Sequence, residues 1–247
     1  MPLHYKLDPA GEHYSKMFVE FYNCLPDIDC ENHQKAAKSA IERVVRYVAK
    51  CFPKLFSSTG GATDIGLATL HKHSTVDENT RVVEKLEIRQ GDPVLVSRPR
   101  DKSYLDLDDI YPCLWTADGI PLEWTEDNGA RGLIPSDKFV ALQKAIKACG
   151  AEHLLGIVQL KKQSLPVKDG QILIERNYVN SFQQVDSVLM IKTDERECKD
   201  MNVIPTRYEL RPEENAEGIV EVECWVFLVC VGKPRYHTEG VKHEKSD

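Results

Sequence analysis

The pattern of apolar residues predicts two helices near the N-terminus. Apolar side chains recur every three to four residues from Glu12 to Leu25 and again from Asn32 to Phe52, which is the spacing that places them on one face of a helix. Pro26 follows the first segment and Pro53 follows the second, and proline favours the end of a helix at the preceding residue. We therefore expect a helical part over about residues 10–53.

Beyond about residue 64 the chain changes to short runs rich in β-branched and aromatic residues, which are typical of strands. These runs are 67–75, 81–89, 94–97, 154–160, 171–178, 188–191, 205–210 and 219–231. One more helix interrupts them, since Phe139, Leu142 and Ile146 lie on one stripe between Ser136, a favourable N-cap, and Gly150. The pattern predicts an α+β fold, with N-terminal helices followed by a mostly antiparallel sheet and one further helix packed on it.

Length and composition fit one domain over residues 1–247. The chain has 247 residues, of which 42% are hydrophobic, and this suffices for a continuous core in a domain of about this size. We expect a β-rich part over about residues 64–233 and a polar C-terminal tail. The tail ends Lys-His-Glu-Lys-Ser-Asp and is expected to be disordered.

Charge and hydropathy exclude two classes of partner. The 32 basic and 39 acidic residues give a net charge of −7 without a basic block that could neutralise phosphates, so we expect no nucleic acid partner. The apolar stretches 154–160 and 219–231 are shorter or more interrupted than the ~20 residues of a spanning helix, so we expect no membrane partner. The first residues also lack the apolar segment of a secretion signal, which predicts a cytoplasmic location.

The eight cysteines contain no C-x-x-C pair, so the sequence offers neither a zinc ribbon nor a thioredoxin-like motif. In a reducing compartment we expect reduced thiols that pack as small apolar side chains. Cys224 and Cys230 would lie about 20 Å apart along an extended strand. They cannot bind one metal ion together, and we predict that both belong to the core.

His71 and His73 form the strongest local signal. They end the run Gly-Leu-Ala-Thr-Leu-His-Lys-His that begins at Gly66, and the period of two along a strand directs both imidazoles to the same face, about 7 Å apart. That face begins with Ile65 and Leu67 and becomes polar, as at the mouth of a pocket. We predict that both histidines bind one metal ion; the competing interpretation is a pair of surface residues at an exposed strand end.

A catalytic zinc ion usually has three protein ligands, so a third must come from elsewhere in the chain. The segment from Tyr111 to Trp124 predicts a hairpin around the turn Asp-Gly, with Cys113 on one arm and Glu123 on the other. We take Cys113 as the third metal ligand, and Glu123 and His153 as alternatives. The competing interpretations are a buried thiol for Cys113, a solvent-facing carboxylate for Glu123 and a core histidine for His153.

Glu123 is also the candidate catalytic residue. It lies between Leu122 and Trp124, where an ionised carboxylate is costly unless it is paired, hydrogen-bonded or bound to a metal. Other enzyme motifs are absent from the sequence: there is no G-x-S-x-G, no Walker loop, no H-E-x-x-H and no G-x-G-x-x-G after a strand. Nucleotide hydrolysis and hydride transfer are therefore unsupported.

Three features together resemble a group of small fungal proteins: the two N-terminal helices, the strand ending Leu-His-Lys-His at His73, and the later segment Asp-Gly-Ile-Pro-Leu-Glu-Trp ending at Trp124. Among proteins of known activity they look most like the zinc-dependent cyclopenase of fungal quinolone alkaloid biosynthesis. The resemblance implies a lyase of secondary metabolism that converts cyclopenin to viridicatin, with ring contraction and loss of methyl isocyanate. It also implies that His71 and His73 are zinc ligands.

The predicted chemistry combines Zn²⁺ as a Lewis acid on a small-molecule substrate with Glu123 as a general base or orienting group. No redox cofactor is needed for it. Two other functions fit the same residues. One is a metal-assisted hydrolase in which water is the nucleophile, and the other is a non-catalytic protein that binds a small ligand.

Overall fold

The structure of the protein is a computed structural model. It describes residues 12–56, 65–106, 109–126, 136–160, 165, 167–168, 170–179, 185–198, 202–214 and 220–231. The predicted C-terminal tail lies outside these residues. No helix within the described ranges combines the length and the apolar character that a membrane span requires.

Four α-helices and ten strands make up the described chain. The helices are α1 (Glu12–Cys24), α2 (Glu31–Cys51), α3 (Pro53–Phe56) and α4 (Ser136–Ala148). The first five strands are β1 (Ile65–Thr69), β2 (Thr80–Arg89), β3 (Asp92–Asp101), β4 (Tyr111–Trp115) and β5 (Pro121–Thr125). The others are β6 (Leu155–Gln159), β7 (Gln171–Val179), β8 (Val185–Asp194), β9 (Val203–Glu214) and β10 (Val220–Val231).

The strands form a closed barrel in the order β1-β6-β4-β5-β2-β3-β8-β7-β10-β9. The pairs β2–β5 and β7–β10 are parallel, while the other pairs are antiparallel. The expectation of an α+β fold was therefore wrong: most strand pairs are antiparallel, but the strands close into a mixed barrel. Alternation of apolar residues predicts where strands lie along the chain. It does not predict that β1 and β9 pair with each other and so close the sheet.

Gly66 makes that closing contact possible. It pairs with Glu209 across the β1–β9 seam, and a Cβ atom at position 66 would lie 2.0 Å from the carbonyl oxygen of Tyr208. Because real side chains do not approach a carbonyl so closely, only glycine allows the two backbones to reach hydrogen-bonding distance here. Closure also removes the sheet edges that an open sheet would leave unpaired.

Two apolar clusters explain why several strands are buried on both faces. One cluster lies between the barrel and α2, α3 and α4, and it includes Leu67, Ile157 and Phe139. The other joins α1, through Phe18 and Tyr22, to residues of many strands. The predicted helix after Ser136 does pack on the strands, since the ring of Phe139 meets Trp115 edge-on at 5.4 Å.

The local elements agree with the sequence pattern more closely than the architecture does. The predicted hairpin is β4–β5, and Gly119 in its turn has φ of 85°, a conformation that glycine adopts without strain. The first strand is much shorter than predicted. The run 67–75 leaves the sheet after Thr69, so His71 and His73 follow the strand rather than lie on it.

Candidate metal centre in the barrel interior

The position of Arg207 identifies a charged cluster inside the barrel. Its Nη2 atom donates a 2.8 Å hydrogen bond to Oε1 of Glu84. Arg207 lies on β9 and Glu84 on β2, and these strands are five places apart in the ring of ten, whichever way it is followed. A side-chain contact between opposite walls must pass through the interior. The groups that surround Arg207 therefore lie inside the barrel.

Four potential metal ligands converge beside this cluster. They are His71, His73, Glu175 on β7 and Cys230 on β10, and one ligand atom of each lies within 4.8 Å of the others. The Nε2 atoms of the two histidines are 3.0 Å apart. Oε2 of Glu175 lies 3.8 Å from Nε2 of His71 and 3.7 Å from Nε2 of His73. These side chains are almost fully enclosed, with exposed fractions of 9% for His71, 11% for His73 and 3% for Glu175.

The strand register brings Glu175 and Cys230 together. The two residues are direct partners in the parallel pair β7–β10, so their side chains project from neighbouring positions. The histidines come from the segment that follows β1. There Lys72 forms an isolated bridge with Asp27, which keeps the chain extended and directs the residues on either side of Lys72 to one side.

The histidines have the arrangement expected of ligands. Nδ1 of His71 lies 2.9 Å from the carbonyl oxygen of Thr69. Because this oxygen can only accept a hydrogen bond, Nδ1 carries the proton and Nε2 keeps the lone pair that a metal ion would need. Burial lowers the pKa of His71 to about 4, with a further contribution from His73. The imidazole of His71 is therefore neutral near pH 7, as metal binding requires.

The distances fit a tetrahedral ion. Zinc–nitrogen and zinc–oxygen bonds near 2.0–2.2 Å place neighbouring ligand atoms roughly 3.3–3.6 Å apart at the tetrahedral angle. The two Nε2 atoms are 3.0 Å apart and Oε2 of Glu175 lies 3.8 and 3.7 Å from them, so these separations lie on either side of that range. Imidazole, carboxylate and thiol donors form a set that suits zinc better than a hard ion such as magnesium.

A second group lies on the other side of Arg207. Glu84, Cys113 and Glu123 also bring their ligand atoms within 4.8 Å of one another. Arg207 occupies the space between the two groups, because its Nη2 atom is 3.4 Å from Oε2 of Glu123 and 3.7 Å from Oε1 of Glu175. A guanidinium thus already acts as the cation for this second group.

The charges of this interior cluster do not balance. Glu84, Glu123 and Glu175 provide three carboxyl groups, whereas Arg207 is the cation that faces all three. When all are ionised they leave an excess of two negative charges in a region of low dielectric. A divalent cation between His71, His73 and Glu175 would neutralise that excess.

Without such an ion, protons have to compensate. Burial raises the pKa of Glu123 to about 7; Arg207 opposes this change, and Glu84 and Glu175 reinforce it. Burial also acts to raise the pKa of Glu175, but His73 and Arg207 outweigh burial and lower it to about 2. In return Glu175 raises the pKa of His73 against the effect of burial. Glu175 is therefore ionised near neutral pH, whereas Glu123 exchanges a proton there.

Tyr22 of α1 reaches the same cluster. Burial raises its pKa well above the ordinary value, and the charges of Glu123 and Glu175 raise it further. Its hydroxyl group interacts with the backbone N–H of His73. The phenol is therefore a neutral hydrogen-bonding group between α1 and the backbone of His73.

The structure groups the residues proposed from sequence in a different way. His71 and His73 are together, as predicted, and Glu123 lies within the same interior cluster. Cys113 falls in the group with Glu84 and Glu123 instead of the group with the histidines. His153 is exposed in the turn before β6 and belongs to neither group.

Sequence reasoning missed Glu175, Glu84 and Arg207, and it treated Cys230 only as a core thiol. One signal was present for the charged residues. Each follows uncharged residues of its strand, as in Leu-Ile-Glu at 173–175, and a charged side chain on a buried face needs a partner. The pattern does not show which buried charges face each other.

Comparisons with known proteins found no match: no family model, no curated protein and no solved structure is similar to this chain.

Proposed function

We propose that the protein is a zinc-dependent enzyme that acts on a small molecule in the barrel interior. The observation that carries the proposal is the convergence of His71, His73 and Glu175, with ligand atoms 3.0–3.8 Å apart, in an almost fully enclosed position. His71, His73 and Glu175 would hold the ion, and Cys230 is the neighbouring thiol that completes the group. Exposed polar clusters can exist without an ion, whereas this one is buried and has three carboxyl groups facing one guanidinium.

When bound, zinc supplies a Lewis acid that polarises an oxygen atom of the substrate. Glu123 supplies the proton transfer. Its pKa of about 7 means that both protonated and ionised forms are present near neutral pH, which is the condition under which one carboxyl group can accept a proton and return it. Arg207 holds Glu123 through Nη2 at 3.4 Å and so fixes the direction from which that proton transfer occurs.

We further propose that the reaction is a lyase reaction on a cyclopenin-type epoxybenzodiazepinedione, giving a viridicatin-type quinolone and methyl isocyanate. Support comes from the resemblance of the segments around His71, His73 and Glu123, and from the chemistry. The two products together contain all atoms of the substrate, so the site needs no oxidant or reductant. Lewis-acid activation and proton transfer are the two functions that the cluster provides.

The test is turnover of cyclopenin by the zinc-loaded protein, followed as formation of viridicatin by liquid chromatography and mass spectrometry. Glu123→Gln should slow the reaction by ~10²–10⁴-fold, the usual effect of losing a general base, while zinc stays bound. Glu126→Gln is the matched control, because Glu126 pairs with Lys85 at 2.8 Å and lies outside the cluster. Stoichiometric zinc without viridicatin would refute the lyase reaction and favour a hydrolase or a non-catalytic role.

A further inference from the structure

We propose that α1 closes over the metal centre and that this closure is linked to metal binding, so that an ion held by His71 and His73 also holds α1 in place. The inference rests on the metal site of the proposed function but not on the reaction. It concerns the segment from residue 70 to residue 76, called here the histidine segment, which carries two of the proposed ligands.

Asn23 at the end of α1 ties the helix to the far end of the histidine segment. Its Nδ2 atom donates to the carbonyl oxygen of Val76 at 2.8 Å. Its Oδ1 atom accepts from the backbone N–H of the same residue at 3.0 Å. The side-chain amide of Asn23 thus pairs with both backbone polar groups of one residue, as a neighbouring strand would, and it fixes the position of α1 relative to Val76.

Lys72, between the two histidines, forms two hydrogen bonds to the last turn of α1 and the region that follows it. Its Nζ atom donates to the carbonyl oxygen of Asn23 at 2.5 Å, and its backbone N–H donates to the carbonyl oxygen of Pro26 at 3.1 Å. Nε2 of His33 in α2 lies 2.7 Å from the carbonyl oxygen of Leu70. The histidine segment is therefore bound at its start, middle and end to the α1–α2 region.

Side chains of α1 contact both sides of β5. Phe18 packs edge-on against Trp124 with ring centroids 5.5 Å apart, and the guanidinium of Arg81 lies 5.4 Å from the centre of the Phe18 ring. Tyr22, one turn later, interacts with His73 and with the charge of Glu123. Glu123 faces Arg207 in the interior whereas Trp124, its neighbour, packs against Phe18 of α1, so the helix lies next to the part of β5 that contributes to the cluster.

These contacts imply thermodynamic linkage. The histidine segment is not part of the sheet, so its position depends on the α1 contacts on one side and on any ion held by His71 and His73 on the other. An ion that fixes the segment must favour closed α1, and closed α1 must favour ion binding to the same extent. If opening of α1 releases the ion, zinc at 100 times its Kd lowers the open population by about 100-fold.

Hydrogen–deuterium exchange of the full chain, with and without zinc, tests this linkage. Zinc content is measured on the same samples. We expect zinc to slow amide exchange in α1 and in residues 70–76 by up to about 100-fold, and to slow it less in α4, which packs on the outside of the barrel. Bound zinc with no slowing in α1, or with equal slowing in α1 and α4, would overturn the inference while leaving the metal site intact.

Asn23→Ala provides the specific variant, because it removes both bonds to Val76. It should retain zinc but lose most of the zinc-dependent slowing in α1. Asn79→Ala is the control, since the side chain of Asn79 is exposed, and it should behave as the original protein. If Asn23→Ala does not fold, Lys72→Met removes the bond to Asn23 instead. Zinc-dependent slowing that persists in the folded variant contradicts the linkage, and absence of zinc from the original protein refutes the proposed function itself.

Discussion

Replacement of Glu123 by glutamine changes how the stability of the metal-free protein depends on pH. Burial together with Glu84 and Glu175 raises the pKa of Glu123 from its ordinary value of 4.5 to about 7, against the opposing effect of Arg207. In the unfolded chain the group returns to its ordinary value. Folding therefore disfavours the ionised carboxylate, and an isosteric neutral amide removes that penalty.

The sign and the size follow from the pKa. A carboxyl group whose pKa is raised in the folded state stabilises the protein below pH 4.5 relative to higher pH, and this contribution disappears as the pH rises through 7. The loss amounts to about 3 kcal/mol, since each pKa unit is worth about 1.4 kcal/mol and the pKa rises from 4.5 to about 7. Between pH 4.5 and pH 8 the stability of Glu123→Gln should therefore rise by about that amount relative to the original protein.

Urea unfolding in the presence of a chelator, measured at several pH values from 4.5 to 8, gives this difference. Comparing two pH values cancels any pH-independent effect of the amide, including a weaker contact with Arg207. Glu126→Gln is the control: partial burial acts to raise the pKa of Glu126, but Lys85 and Arg100 outweigh burial and lower it. Its effect on stability therefore changes mainly below pH 4.5, and this variant should show little of the change between pH 4.5 and pH 8. Parallel curves for Glu123→Gln and the original protein would show that Glu123 does not lie in this environment.

Three further measurements, two of them on substituted proteins, test the fold and the cluster. Arg207→Met leaves three buried carboxylates without their shared cation and should destabilise the metal-free protein by about 3–5 kcal/mol in urea unfolding at pH 8; an effect below 1 kcal/mol would argue against the cluster. Gly66→Ala places a methyl group against the Tyr208 carbonyl and should lower the unfolding free energy by at least about 2 kcal/mol, whereas unchanged stability would argue against barrel closure at this seam. All eight cysteines lie in the described residues and none forms a disulfide, so thiol titration in denaturant without reductant should return eight; four or fewer would contradict this.

The sequence predicts helices and turns well because these depend mainly on residues that are close together in the sequence. The helix pattern from Glu12 to Leu25 corresponds to α1, and the Asp-Gly turn at residues 118–119 joins β4 to β5. The architecture depends on contacts between distant residues. Pairing of Gly66 with Glu209 closes the barrel, and no period within either strand specifies that partner.

The site shows the same division. His71 and His73 are close in sequence, so their convergence could be predicted, although the reason differs: an extended segment bound to α1 directs them together, rather than a strand. Glu175 is more than a hundred residues away from them. It joins the histidines only through the pairing of distant strands in a closed barrel. Cys113 on β4 joins Glu123 on β5 and Glu84 on β2 because these strands are neighbours in that barrel.

The central claim is that His71, His73 and Glu175 bind zinc. The most direct test is the zinc content of the purified protein, measured by elemental mass spectrometry. We predict one zinc ion per chain in the original protein. His71→Ala and Glu175→Gln should lose it, whereas Cys113→Ser and His153→Ala, which alter residues outside the histidine group, should retain it. No zinc in the original protein, or full retention in His71→Ala, would contradict the assignment of this cluster as a metal centre.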